Sequence, residues 1–322
     1  MTARQGRADH GASELVDGAR TGDPRAVARL ISLIEDGSPM LRQVAALLAS
    51  RTGRAQIVGI TGSPGVGKST STSALVTAFR AAGERVGVLA VDPSSPFTGG
   101  ALLGDRVRMQ EHATDPDVYI RSMASRGHLG GLAWATPQAL RVLDAAGCDV
   151  ILVETVGVGQ SEVEVAGLAD TTVVLLAPGM GDGIQVAKAG ILEIADIYVI
   201  NKADRDGADN VLRDLRAMLA LAGGNAESWR PPIIKTVANQ GQGLERVVEA
   251  IGQHRAWMAE TGELDRRRSR RARDEIEAIA LTSLREKFGN VHGHDRLDEL
   301  ADAVAAGQTD PYAAADEVIA AF

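Results

Sequence analysis

The chain of 322 residues has a single cysteine, Cys148. No disulfide framework can form, and a reducing cytoplasm is the expected setting. Aromatic residues make up only 3%, so helix–sheet packing must rest on alanine, valine and other small aliphatic side chains. No stretch of 18 apolar residues occurs, and the N-terminus lacks the apolar core of a signal peptide. A membrane span and a secretory leader are therefore not expected. Excess positive charge is missing too. The net charge of −8 argues against general binding to nucleic acid. Six scattered histidines and one cysteine offer no Cys/His metal cluster. His292 and His294 form an H-x-H pair of the kind usual on surfaces. No internal repeat or low-complexity tract stands out.

What is present is a phosphate-binding loop. Residues 62–69 read Gly-Ser-Pro-Gly-Val-Gly-Lys-Ser, which fits G-x-x-x-x-G-K-[ST]. An apolar strand, 56–61, precedes it, and a helical run from Thr70 to Ala82 follows. Strand, glycine loop and helix start aim backbone N–H groups and a helix dipole at a polyphosphate. Gly62, Pro64, Gly65, Val66, Gly67 and Thr70 form the cradle. Lys68 reaches the β- and γ-phosphates, and the Ser69 hydroxyl is placed to ligate Mg²⁺.

The base is legible as well. An apolar strand ends in Asn201-Lys202-Ala203-Asp204, an N-K-x-D pattern. The Asp204 carboxylate can accept from N1–H and the 2-amino group of guanine. Adenine has neither donor there and would leave the carboxylate unpaired. Asn201 braces the loop, and the Lys202 stem lies along the base. Val237 and Ala238, closing strand 232–237, complete the nucleotide-contacting set. The expected ligands are GTP and GDP with Mg²⁺.

Residues 13–52 carry helical periodicity, broken at Gly22-Asp23-Pro24 and Gly37-Ser38-Pro39, each placing proline where a new helix begins. The first dozen residues are small and polar and read as irregular. From 56 to about 255, apolar runs at 56–61, 85–92, 117–122, 149–155, 171–177, 196–201 and 232–237 alternate with helical segments. This predicts an α/β fold of the P-loop NTPase kind, a mainly parallel sheet covered by helices on both faces. Three regions follow: a helical extension over 1–54, the nucleotide domain over 55–255, and a helical arm over 256–322. Six arginines fall between 266 and 273. In an acidic chain they read as a solvated helix face, or as an arm pairing with acidic groups of a second subunit.

Three acids at strand ends or nearby loops are metal candidates: Asp92, Asp105 and Glu154. Glu154 stands where this class usually has aspartate. Glu154 to Gly157 forms an E-x-x-G variant of the D-x-x-G switch, whose glycine N–H meets the γ-phosphate. Asp92 is also a candidate for holding a metal-bound or attacking water. Many small GTPases have glutamine after the switch glycine, to orient water. Here Val158 stands there and Gln160 is the nearest glutamine, so unaided hydrolysis should be slow. Arg108 or a partner can supply transition-state charge. The glycine-rich loop 178–188 is longer than a turn requires and is a candidate partner-reading element. Another glycine loop, 125–131, carries no assignable chemistry.

These strings together resemble the MeaB/ArgK family, above all Glu154-Thr155-Val156-Gly157-Val158-Gly159-Gln160-Ser161-Glu162. The others are 61–70, Val91 to Ser95, Gly104 to Met109 and Asn201 to Asp204. The resemblance covers nearly the whole chain. It implies a homodimeric GTPase that docks on adenosylcobalamin-dependent methylmalonyl-CoA mutase, and on its adenosyltransferase. There it gates cofactor loading and protects or reactivates the mutase. It also implies that loop 178–188 is a third switch, with Asp182, Gln185 and Lys188 matching functional positions. Dimer contacts are implied in the arm. A nickel-insertion GTPase is the alternative reading. Its Cys/His cluster or His-rich tract is missing from the sequence. A protein-kinase catalytic loop is also missing.

Overall fold

The apolar runs become seven strands of one sheet in the computed structural model, which describes residues 2–93, 109–125, 135–155, 161–179, 190, 192–222, 228–288 and 295–320. In chain order the helices and strands are α1 (Thr2–Arg20), α2 (Pro24–Glu35), α3 (Leu41–Leu48), β1 (Gln56–Thr61), α4 (Lys68–Ala81), β2 (Val86–Pro93) and β3 (Val118–Ser125). Then come α5 (Ala135–Ala145), β4 (Val150–Thr155), α6 (Ser161–Leu168), β5 (Thr171–Leu176), β6 (Ile197–Ile200), α7 (Ala208–Ala222) and β7 (Ile233–Lys235). The chain continues through α8 (Leu244–Thr261), α9 (Glu263–Phe288), α10 (Asp295–Ala305) and α11 (Pro311–Ala320).

The strand order is β3-β2-β4-β1-β5-β6-β7, and every pairing is parallel. A parallel sheet must be covered on both faces, and the alternation within each strand shows how. Ile57, Leu89, Val91, Ile151 and Val153 join one buried layer with α2, α3 and α5. Val58, Ile60, Val86, Val88, Val150 and Leu152 join the opposite layer with α4 and α8. The period of two sends neighbouring residues to opposite cores. Burying a Val, Leu or Ile fully is worth about 1.5–3 kcal/mol. β1, buried at all six positions, is the anchor of both layers.

The N-terminal helices belong to the first layer, with α2 packed on α5. Asp23 caps α2 by accepting from Arg25 N at 2.9 Å, with Pro24 in the first turn, as the Gly-Asp-Pro break predicts. The expectation that the first dozen residues are irregular is corrected: α1 starts at Thr2. Ala12, Val16 and Ala19, on one helical face, are buried in that layer, which gives this polar helix a tertiary reason to form.

The chain divides into two units, Met1–Arg268 and Ser269–Phe322. In the second, Arg296 of α10 pairs with Glu317 of α11. In the first, Arg267 and Arg268 revise the reading of the arginine run. They form ion pairs within their own chain. Arg267 grips Asp196 at 2.8 and 2.9 Å, and Arg268 grips Asp170 at 2.9 and 3.3 Å. Both carboxylates stand just before strands, Asp170 before β5 and Asp196 before β6, so the fork lies at the end of the sheet away from the phosphate loop. Cys148 is buried and its thiol is pushed up to about 12 by desolvation, which leaves it a neutral packing group.

Candidate active site

β1 feeds directly into the glycine loop, and the loop's shape follows from two backbone positions. Gly62 has φ +142°, and a Cβ there would lie 2.4 Å from the Leu175 carbonyl oxygen. Gly67 has φ +96°, and its Cβ would lie 2.5 Å from Asn201 Nδ2. Only glycine satisfies both the torsion and the close approach. α4 begins at the next residue, so its first-turn N–H groups and dipole face the loop. Lys68 is buried, and its ammonium donates to the carbonyls of Gly62 and Ser63. The cation is thus held over the loop.

β4 supplies the acid. Its register opposite β1 sets Glu154 beside Ile60, one residue before the strand gives way to the loop. Ser69 Oγ donates to Glu154 Oε1 at 2.6 Å, and the carboxylate is only 4% exposed. Hydroxyl and carboxylate oxygens are hard donors of the type that Mg²⁺ takes, so the pair fits the ion. Asp92 is the penultimate residue of β2, in register with Ala124; its side chain lies outside what is described. Asp105, Arg108, Gly157, Val158, Gln160, Asp182, Gln185 and Lys188 lie outside the described residues. So do His292, His294 and most of the 125–131 loop.

The N-K-x-D loop meets the phosphate loop through side chains. Asn201, 3% exposed, donates from Nδ2 to the Val66 carbonyl at 2.9 Å. Its Oδ1 accepts from Ala238 N at 3.1 Å and Thr236 Oγ1 at 3.3 Å. One carboxamide therefore ties three loops together, the brace anticipated from the motif. Lys202 has φ +55°, a left-handed conformation that a non-glycine residue keeps only where its surroundings over-determine it. Here its ammonium donates to the Gly65 carbonyl at 2.7 Å. Its stem therefore spans the gap between the two loops.

Asp204 is exposed, on a cavity of about 240 Å³ that is also lined by Ala203, Lys235, Thr236, Val237, Gln242 and Gly243. Lys235, Thr236, Gln242 and Gly243 are absent from the sequence reading of the site. Lys235 and Thr236 fall within the expected strand 232–237 without being read as site residues, and the signal for the other two is Gly241-Gln242-Gly243 ahead of a helical stripe. Val237 N donates to the Gln242 carbonyl at 3.1 Å, which folds that loop back on the strand. The arrangement brings together a polyphosphate cradle with its lysine, a hydroxyl–carboxylate pair, and a braced base pocket with one carboxylate.

Comparisons with known proteins agree with this geometry. The family described as methylmalonyl Co-A mutase-associated GTPase MeaB matches residues 27–292. The GTPase ArgK of Escherichia coli is 35% identical over 267 residues, 81% of each chain. The mitochondrial methylmalonic aciduria type A homolog of Mus musculus is 34% identical over 326 aligned positions, covering 96% of this chain and 79% of its own length. Among solved structures, one titled as a LAO/AO transport system kinase superposes with a TM-score of 0.70 at 26% identity, covering 95% of this chain and 96% of that one. With the phosphate loop, the Ser69–Glu154 pair and the N-K-x-D brace in one site, the chain belongs to the MeaB family, and it is a guanine-nucleotide-binding GTP hydrolase.

Proposed function

We propose that this GTPase serves an adenosylcobalamin-dependent methylmalonyl-CoA mutase, gating the loading of its cofactor and protecting or reactivating the enzyme. The family's name and the mouse relative support the choice of partner. One sequence observation carries the idea of partner control: Val158 occupies the place where a water-orienting glutamine is common. The site otherwise holds what phosphoryl transfer needs, a positioned cradle and a buried cation. Mg²⁺, when bound, would be held by Ser69 with carboxylates drawn from Glu154, Asp92 and Asp105, and would neutralise charge on the phosphates. Lys68 and the α4 N-terminus bind and orient the γ-phosphate. Arg108 or the partner adds the charge that develops in the transition state. Asp182, Gln185 and Lys188 are assigned to a third switch that reads the mutase.

Homodimerisation through the C-terminal arm belongs to the same proposal. Ile276, Ile279 and Leu284 of α9 are all exposed, Ile276 by 68%. A second subunit would cover such a stripe. Sedimentation should give a dimer for the wild type and a monomer for Ile276→Glu/Leu284→Glu.

The central test is GTP turnover with and without purified mutase. The expected result is slow turnover alone and at least tenfold stimulation, equal to about 1.4 kcal/mol of barrier. Lys188→Ala should lose the stimulation and keep the basal rate. A wild type that turns over at full speed alone and ignores the mutase overturns the chaperone reading. Lys68→Ala should abolish turnover in a folded protein, and full activity there would refute the role of the loop.

A further inference from the structure

Arg108, the candidate for transition-state charge, lies outside the described residues, but the residues that follow it are fixed. Met109 is 1% exposed and shares a core layer with Leu75, Val76 and Phe79 of α4. Gln110–His112 then forms a 3₁₀ turn, in which His112 N donates to the Met109 carbonyl at 3.1 Å. Two side chains of this turn converge on Ser73 of α4, one helical turn beyond Ser69. His112 Nε2 lies 3.1 Å from Ser73 Oγ and 3.1 Å from the Ser73 carbonyl oxygen. A carbonyl only accepts, so Nε2 carries the proton. The Ser73 hydroxyl accepts from the ring and donates to Glu111 Oε1. Ser73 and His112 are both buried. Alanine at 73 would suit the helix better, and hydrogen bonds of this kind add little net to folding. Apolar packing by Met109 already holds the turn on α4. What the bonds add is direction, because they fix where along α4 the turn sits. Consecutive Cα atoms are about 3.8 Å apart across a trans peptide, so anchoring Met109 limits where Arg108 can begin.

We propose that Ser73 is a positioning residue for GTP hydrolysis: with His112 and Glu111 it latches the chain behind Arg108 to the helix that starts at Lys68, and so sets that arginine for the γ-phosphate. This rests on reading Arg108 as the source of transition-state charge. The test uses Ser73→Ala, which deletes the hydroxyl, and His112→Phe, which keeps a ring and deletes its donor. In Ser73→Ala the ring keeps the Ser73 carbonyl, and Glu111, 66% exposed, turns to water, so no buried group is stranded. Single-turnover GTP hydrolysis with Mg²⁺ is measured beside titration with a non-hydrolysable GTP analogue. Both variants should hydrolyse GTP more slowly, His112→Phe by roughly tenfold or more, the scale of a small misplacement near the reacting group. Both should bind the analogue as wild type does. In an Arg108→Ala background neither change should slow hydrolysis further, since no cation is left to misplace. Thermal unfolding shows whether each variant is folded, and Ser73→Ala decides alone if His112→Phe is not. A fall in analogue affinity equal to the fall in rate means a strut for α4 and overturns the proposal. So does full additivity with Arg108→Ala, or a slow Arg108→Ala beside unaffected Ser73→Ala and His112→Phe. Arg108→Ala that turns over at the wild-type rate would instead remove the Arg108 reading, and the latch with it.

Discussion

The single residue that most constrains the site is Gly67. Its φ of +96° and the 2.5 Å approach to Asn201 Nδ2 leave no place for a β-carbon. Gly67→Ala adds backbone strain of roughly 1–2 kcal/mol and pushes Asn201 off the Val66 carbonyl. The site loosens while both core layers stay intact, so GTP affinity should fall at least tenfold with a small change in melting temperature. Isothermal titration beside thermal unfolding checks this. Asp204 gives a complementary test of base choice. Xanthine carries a carbonyl in place of the 2-amino group, so Asp204→Asn should weaken GTP and improve xanthosine triphosphate. Equal binding of ATP and GTP by the wild type would count against the carboxylate as the selector. Asn201, Lys202, Asp204, Lys68, Ser69 and Glu154 were legible in the sequence because each sits in a fixed spacing after an apolar strand. Gln242 and Gly243 were not. Their places depend on a loop folding back across β7, and no local pattern encodes that.

At the scale of elements, the strands were read to within three residues, the largest miss being the end of β3 at Ser125, since apolar alternation bounded by glycine and acidic residues is a local signal. The arginine forks were invisible for the opposite reason. A run of arginines looks alike whether it meets water or a buried acid. Arg268 reaches Asp170, which is wholly buried and also accepts from Ile57 N at 3.1 Å. The same guanidinium donates to the Gly53 and Ala55 carbonyls, so the start of α9 is stitched to the entrance of β1. Arg268→Met leaves a buried carboxylate without its counter-charge. A loss of about 3–5 kcal/mol is expected, measured by urea unfolding. Arg268→Met/Asp170→Asn removes the stranded charge and should recover part of that loss. If the double variant is as unstable as the sum of the singles, the two side chains do not act as a pair.

For the whole molecule, topology gathers the chemistry and stability sits at the other end of the sheet. β1 lies at the centre, with β4 on one side and β5 on the other. The chain therefore leaves β1 and later returns to both of its flanks, the switch point where ligands collect in such sheets. At the opposite end His254 is fully buried. It touches Thr171 Oγ1 at 2.9 Å and Asp196 Oδ1 at 3.3 Å, and packs against Trp229 and Trp257 with ring centroids 4.8 and 5.7 Å away. Arg267, Asp170 and Glu263 complete its charged surroundings. Desolvation lowers its pKa from 6.5 to about 4; Asp196 pulls the other way and does not prevail. In the unfolded chain the imidazole takes its proton near pH 6.5, before the folded protein can. The unfolded state then binds more protons, and stability rises with pH across that interval. This contribution is complete above about pH 6.5, shrinks as pH falls toward 4, and changes no further below both values. Unfolding free energies from pH 7.5 to 4 should therefore slope more steeply in wild type than in His254→Gln, which does not titrate and can still bond Thr171. Parallel slopes would mean that His254 is not the group sensing this range.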